Sequence, residues 1–176
     1  MNDYFLITEQ WLKTYTPISD FVDMEVIRPY FKLSEDIDVR QVIGSKLFDR
    51  LKQGTQNNNL TADEQELVTQ IRPYLAYAIV ARALPFIATG IRGAGVVKVN
   101  NPNIINATLA EVKDMETNLR NVADYYQVRL IQYLCDNGSK FPLYSQTGNP
   151  SADSTPNFIS GFYVGCSCSG KCNCWK

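Results

Sequence analysis

The longest regular pattern of apolar positions lies between Thr108 and Gly138, where apolar residues recur at steps of three and four. This spacing places their side chains on one face of a helix. Thr108 and Glu111 have the spacing of a capping box, and Asn137-Gly138 is typical of a helix end. A helix of about 27 residues is about 40 Å long. A domain of this size cannot bury all of such a rod, so we expect part of it to meet another subunit. The apolar positions of this face are Leu109, Val112, Met115, Leu119, Val122, Tyr126, Leu130, Tyr133 and Leu134.

A second helical pattern begins at another capping box, formed by Thr61 and Glu64, and continues towards residue 90. Pro73 and Pro85 are each expected to kink or restart this helix, because proline lacks the backbone N–H. Four alanines near its centre permit close approach of another helix, and the long helix is the expected partner. The predicted inward residues are Leu67, Val68, Ile71, Leu75, Ala78 and Ile79, and the alanines are Ala76, Ala78, Ala81 and Ala83.

Residues 20–54 predict two shorter helices. Pro29 is tolerated near a first turn, so the first helix is expected to start at residues 26–29. Gly44 interrupts the pattern, Ser45 is a candidate cap for the second helix, and Gly54 is its expected end. The apolar positions of the two helices are Ile27, Tyr30, Phe31, Ile37, Leu47, Phe48 and Leu51.

The first 19 residues combine aromatic anchors with polar spacers. Thr8 is a candidate cap for one or two helical turns, and Thr16-Pro17 imposes an extended step. Such a segment is too short to fold alone. Either it packs on the chain's own core or it is an N-terminal arm that docks on a neighbour.

The glycine-rich stretch from Gly90 to Gly95, followed by Val96 to Val99, predicts a turn and a short strand or extended arm. Gly93-x-Gly95 follows a helix and precedes a strand, which is the reverse of the order in nucleotide-binding loops. We therefore interpret the stretch as a flexible connecting hairpin.

The composition changes after Gly138. Phe141 to Tyr144 resembles a docking turn, and residues 145–157 are a polar linker. Phe158 to Val164 is again rich in strand-forming residues, and an apolar strand after a linker is typical of strands donated to a neighbouring sheet edge. Removing residues 158–176 is expected to leave a folded helical monomer.

These patterns together predict a mainly α-helical protein. The expected organisation is an N-terminal arm over residues 1–19 and a helical core over residues 20–138, which includes the glycine-rich segment 90–107. A linker and strand-like tail follow over residues 139–176.

The composition of the chain limits the classes of function that it can have. A chain of 176 residues with 45% apolar and 20% charged residues is expected to form one domain with a real core. The net charge of -1 argues against a protein that mainly grips nucleic acid. The absence of histidine excludes His-based triads and H-E-x-x-H zinc sites. We predict no enzymatic activity and no catalytic, cofactor-binding or metal-binding residue.

Charge is distributed unevenly along the chain. Residues 1–40 carry four bases and eight acids, a balance of 4 − 8 = −4, and residues 41–100 carry seven bases and four acids, a balance of 7 − 4 = +3. This asymmetry suits head-to-side contacts between copies, although helices also segregate charge without such a role. The basic residues Lys46, Arg50, Lys52, Arg92 and Lys98 are candidates for phosphate contact, and a solvated helix face or an acidic neighbour explains them equally well.

The sequence predicts a protein folded in a cytoplasm and not in a membrane. Met1-Asn2-Asp3 lacks the basic start of a signal peptide. The most apolar run, from Tyr74 to Ile91, contains Arg82 and Pro85 and is expected to be a buried helix instead of a membrane span.

Four of the five cysteines cluster at the end of the chain, as Cys166, Cys168, Cys172 and Cys174. Structural zinc sites usually have two or more residues between paired ligands, whereas one residue separates each pair here. Reduced thiols without metal are the default expectation, and a soft metal or later disulfides remain open. Cys135 is interpreted as a small core residue.

Several stretches in order along the chain resemble head–tail connector proteins of tailed bacteriophages. The greatest similarity is to the ring (adaptor) proteins of crAss-like podoviruses, in the helical connector superfamily that includes lambdoid head-completion proteins. The cysteine-rich end departs from this pattern. The stretches are Phe5-Leu6-Ile7-Thr8, Thr16-Pro17-Ile18-Ser19, Ile43-Gly44-x-x-Leu47, Leu84-Pro85-Phe86, Gly95-Val96-Val97, Tyr125-Tyr126-x-x-Arg129-Leu130, Tyr133-Leu134-Cys135, Phe141-Pro142-x-Tyr144 and Gly161-Phe162-Tyr163-Val164-Gly165.

The resemblance implies a helical connector fold with one long C-terminal helix, a short hairpin and extended terminal arms. It implies a virion subunit of a ring, commonly twelvefold, that docks beneath the portal protein and contacts other connector or tail rings. DNA then passes through the lumen without sequence readout, and no catalytic residue or cofactor is implied. The alternative from the residues alone is a small cytoplasmic metal- or redox-responsive binding module that acts through the four tail cysteines.

Overall fold

The computed structural model describes residues 4–20, 22–92, 95–98 and 108–146, which are mainly helical, as the sequence predicts. Two short strands, β1 (Thr89–Arg92) and β2 (Gly95–Lys98), pair antiparallel, with Thr89 opposite Lys98. The helices are α1 (Glu9–Tyr15), α2 (Met24–Ser34), a π-helix (Glu35–Val39), α3 (Arg40–Ile43), α4 (Ser45–Gln56), α5 (Ala62–Ala88), α6 (Leu109–Asp136) and α7 (Pro142–Gln146).

Helix α5 is the central element, because it packs along α6 and also contacts α1, α2 and the π-helix. The predicted capping box is present at its start: Thr61 Oγ1 accepts from Glu64 N over 3.2 Å, and Thr61 N donates to Glu64 Oε2 over 2.8 Å. The predicted inward positions and all four alanines are buried. Of the predicted kink or restart at each proline, the structure shows no restart, because α5 runs through both Pro73 and Pro85. Buried residues lie on both sides of Pro73, among them Ile71 and Tyr74, and Ala83 is buried just before Pro85.

By length and hydropathy, α5 is the one helix within the described ranges that is long and apolar enough to cross a membrane. Core helices of soluble proteins meet the same criterion, and 50% of the relevant window of α5 is buried inside the protein.

The predicted start of the first helix within residues 20–54 is wrong. Helix α2 begins at Met24, because the Asp23 carboxylate accepts a hydrogen bond from Glu25 N over 2.9 Å and caps the helix there. Pro29 therefore lies inside the helix instead of in its first turn.

Helix α4 differs from its prediction at both ends. Gly44, with φ of 80°, is its N-cap, and Ser45 is its first residue. The helix ends at Gln56 and not at Gly54. Gly54 is buried within it, and a Cβ at this position would overlap the side chain of Leu60, so the glycine permits close packing instead of ending the helix.

Of the two alternatives for the first 19 residues, packing on the chain's own core is the one observed for residues 4–19. Leu6, Ile7 and Leu12 are buried in the hydrophobic core. The predicted cap of α1 is present, since Thr8 Oγ1 accepts from Trp11 N over 3.2 Å. In the single chain this segment is therefore not a projecting arm.

The start of the predicted tail also packs on the core. Phe141 and Tyr144 are buried, the rings of Phe141 and Tyr133 lie 6.2 Å apart, and α7 contacts α4. The apolar segment 158–164 and the four clustered cysteines lie outside the described residues.

Candidate functional site

Helix α6 buries only part of the face that its sequence predicts. Its capping box is present, with Thr108 and Glu111 bonded reciprocally. The buried residues are Leu119, Ala123, Leu130 and Leu134. By contrast, Leu109, Met115 and Val122 are 78%, 55% and 36% exposed, so these positions of the predicted apolar face are not covered within the single chain.

The reason is geometric. At about 100° per residue, Met115 and Val122 lie about 80° away from the centre of the buried row. A pattern with steps of three and four residues still counts such offset positions as one face. A single neighbouring helix covers only the central part of that face.

Met115, Val122 and Tyr125 are exposed on one flank of α6, where the polar Asn118 lies between them, and we call these three apolar residues the α6 stripe. Tyr125 is 59% exposed, and the guanidinium of Arg129 lies 5.8 Å from the centre of its ring. Met115 and Val122 are seven residues, or about two turns, apart, and Tyr125 follows one turn later on the same flank. This is a different part of the helix surface from the one packed on α5.

An aromatic contact series connects the α6 stripe to the core. Tyr125 meets Tyr126 edge-on, with ring centres 5.4 Å apart, and Tyr126 stacks on Tyr77 of α5 at 5.9 Å. Packed rings lose little freedom when a partner docks on them, so this geometry presents Tyr125 as a preorganised contact.

A buried carboxylate, Glu35 of the π-helix, fastens the N-terminal segment. Its Oε1 accepts from Leu6 N over 2.6 Å, and its Oε2 accepts from Lys52 Nζ over 2.6 Å. Lys52 also donates to the carbonyl oxygen of Tyr4. Because both carboxylate oxygens are engaged by the protein itself, the arrangement is a structural fastening.

Burial raises the pKa of the Glu35 carboxyl, and the ion pair with Lys52 together with the Leu6 N–H opposes part of that rise. Desolvation of the charged form is therefore the larger effect.

The π-helix carries a second inward acid, Asp38, which pairs with Arg82 of α5. Together with Lys52–Glu35, this contact joins the acidic first part of the chain to its basic middle within one molecule. Of the basic residues considered for phosphate contact, Lys52 is paired in this way and Arg50 pairs with Glu64 at 2.9 Å. For Lys52 and Arg50, an acidic neighbour, one of the explanations left open by the sequence, is therefore observed in the same chain. Sequence spacing gave no signal for these pairs, because their members are 14 to 44 residues apart.

Residues 39–154 match the model of DUF6712, a family of unknown function, and this range includes well over half of the chain. The chain belongs to the DUF6712 family. The matched range contains both α5 and α6. No curated protein and no solved structure shows significant similarity to the chain.

In this DUF6712 protein, the described residues contain no group of three or more acidic or cysteine side chains arranged to hold a metal ion. Cys135 lies on α6 with a half-buried side chain. Among the described residues, the candidate site that we put forward is a contact surface, the α6 stripe.

Proposed function

We propose that this protein is a virion structural protein, one subunit of a head–tail connector ring between the portal and the tail. In this role it docks beneath the portal protein, lines the DNA channel and provides a platform for tail attachment. The proposal comes from the resemblance to connector proteins. The observation that carries it in the structure is the α6 stripe.

The α6 stripe exposes apolar side chains where a surface helix normally carries polar ones. Met115 and Tyr125 are each more than half exposed, although both are large side chains in an ordered helix. Contiguous exposed apolar patches mark interaction sites in soluble proteins. In a ring, the neighbouring copy covers such a surface in every subunit.

The connector proposal includes a finer description of the fold. The long helix α6 is the C-terminal helix of a helical connector bundle, the hairpin segment 90–107 is a contact arm, and the tail after residue 138 is a second one. The packing of residues 4–19 on the core limits the arms to these two segments.

The charge distribution is compatible with a DNA channel that does not hold the DNA. The net charge is -1, and the cations Arg50, Lys52 and Arg82 are paired with acids of the same chain. A basic side chain that is already paired with an acid displaces few counterions from DNA phosphates, so it adds little to DNA affinity. A lumen built from such surfaces therefore lets DNA slide.

The proposed location is the head–tail junction of the virion, after synthesis in the cytoplasm of a bacterial host. The partners are other copies of the chain, the portal protein, neighbouring rings and the passing genome. No membrane and no cofactor take part.

The test combines the full-length protein with the portal protein encoded in the same genome, followed by negative-stain electron microscopy. We expect rings bound to one end of the portal. A matched pair of variants tests the surface: Val122→Glu adds a charge to the α6 stripe, and Thr117→Glu adds the same charge to a β-branched residue on the opposite flank of α6. We expect Val122→Glu to lose the rings and Thr117→Glu to retain them. Failure of the wild-type protein to bind portal at any concentration contradicts the proposal.

A further inference from the structure

Helix α2 carries a second apolar row, made of Val26, Pro29, Tyr30 and Leu33, in which Tyr30 is half-buried against the core and the other three residues are exposed. At about 100° per residue these four residues fill one sector of the helix, and no charged residue of α2 falls within it. Val26 and Leu33 are 42% and 41% exposed. A surface helix normally places polar residues in such a sector.

Phe86 of α5 extends this row onto the neighbouring helix. Its ring is 42% exposed, and its centre lies 5.3 Å from the centre of the Tyr30 ring. The row and Phe86 therefore form one surface made by two helices, which we call the α2 patch.

The α2 patch and the α6 stripe cannot cover each other within one molecule. Each helix already packs its buried face on α5. The exposed rows are the flanks that remain. One subunit thus presents two unlike apolar surfaces, which is what a repeating head-to-tail contact requires.

The charges beside the two surfaces select the partner and its direction. The α6 stripe is flanked by Asp114 before Met115 and by Arg129 after Tyr125, and the α2 row is flanked in the same order by Glu25 and Lys32. Antiparallel packing of one helix on the other places acid against base at both ends, whereas parallel packing opposes like charges. The two flanking charges on α6 are farther apart than those on α2 by about 6 Å at each end, a distance that the long Arg129 and Lys32 side chains span.

We propose that the α6 stripe of one copy packs antiparallel on the α2 patch of the next copy. This inference rests on the proposed function, because it names the contact that repeats around the ring. The occupant is therefore a second copy of this chain, seated heterologously.

The experiment mixes two variants that are each blocked on one surface. Val122→Glu blocks the α6 stripe, and Leu33→Glu blocks the α2 patch. Each variant alone is expected to weaken self-association by about 30-fold or more, as for a central interface residue. Thr117→Glu and Leu109→Glu are the controls. Leu109→Glu makes the same chemical change as Leu33→Glu at a site 78% exposed and outside both surfaces.

An equimolar mixture of the two blocked variants is the decisive sample in analytical ultracentrifugation. The intact α6 stripe is then on the Leu33→Glu molecules and the intact α2 patch is on the Val122→Glu molecules. We therefore expect one molecule of each to form a 1:1 dimer that cannot add a third molecule. A Leu33→Glu protein that self-associates like wild type overturns the inference, because the contact is then stripe to stripe or the patch serves another protein. Circular dichroism confirms that each variant is folded.

Photo-cross-linking covers the case of weak association. Benzoylphenylalanine in place of Tyr125 is expected to give covalent dimers whose adducts map to α2. Adducts confined to the chain's own tail, or to α6 of another copy, overturn the inference, and so does the absence of any adduct at millimolar concentration. In each of these cases portal binding by the wild-type protein leaves the proposed function standing.

Discussion

Arg82 donates two hydrogen bonds to the carboxylate of Asp38, from Nε to Oδ2 over 2.9 Å and from Nη2 to Oδ1 over 2.6 Å. The pair connects α5 to the π-helix, 44 residues apart in sequence, and both side chains are mostly shielded from water. Hydrogen bonding to Asp38 raises the pKa of the Arg82 guanidinium still further. This two-point contact fixes the orientation of the π-helix on the central helix.

Replacing Arg82 by lysine is expected to lower the free energy of unfolding by about 1–3 kcal/mol, because lysine cannot reproduce the two-point contact. The matched control is Arg28→Lys, where the partner Glu9 and the arginine are both largely exposed. That change is expected to cost about 0.5 kcal/mol or less. Urea denaturation followed by circular dichroism measures both, and equal losses would contradict the expectation.

The buried row of α6 and its exposed first residue are expected to differ in what they contribute to stability. Leu130→Ala should cost about 2–5 kcal/mol, because Leu130 is 1% exposed and its truncation leaves a cavity. Leu109→Ala on the same helix should leave stability nearly unchanged, because Leu109 is 78% exposed. Thermal unfolding of the two variants checks this, and a large effect at Leu109 would mean that the single chain already covers this end of α6.

Glu35 is expected to make stability depend on pH. In the folded protein burial raises the pKa of its carboxyl above the unfolded value of 4.5. Between the two pKa values the folded state holds more protons. The Glu35 contribution to the free energy of unfolding is therefore full below the unfolded pKa and falls as pH rises through the folded pKa.

The comparison of wild type with Glu35→Gln isolates this effect, since glutamine does not titrate. The free energy of unfolding of wild type minus that of Glu35→Gln is expected to be highest near pH ~4 and lower near pH ~7. Urea denaturation across this range provides the measurement. A difference that grows with pH would show that the Lys52 ion pair outweighs the burial of the carboxyl.

Removal of residues 1–8 is expected to destabilise the fold by about 3–6 kcal/mol, because it exposes the sites filled by the buried Leu6 and Ile7. It also removes the N–H that Glu35 accepts from. Removal of residues 1–3 alone is the control and is expected to have little effect. If the longer deletion left the melting temperature unchanged, the first residues would be an arm after all.

Local signals in the sequence were sufficient to place the starts of the two long helices. The capping boxes at Thr61 and Thr108 need only residues three positions apart, and both are present. The inward positions of α5 were likewise predictable, because this helix is covered on several sides and most of its apolar residues find a partner.

The prediction failed where tertiary contacts decide the outcome. Gly54 stays inside a helix because Leu60 packs against it, and Pro29 stays inside one because Asp23 caps the helix earlier. The extent of burial along α6 depends on how much of it α5 can cover, which spacing along one helix does not reveal. The α2 patch was missed for the same reason, since its sector is defined only once the buried side of α2 is known.

The position of α5 has a consequence for how the protein comes apart. Helices α1, α2 and α6 and the π-helix all rest on it, so neither the first nor the second half of the described chain has a core of its own. The molecule should melt in one cooperative step, and the backbone amides of α5 should be the last to exchange with deuterated solvent.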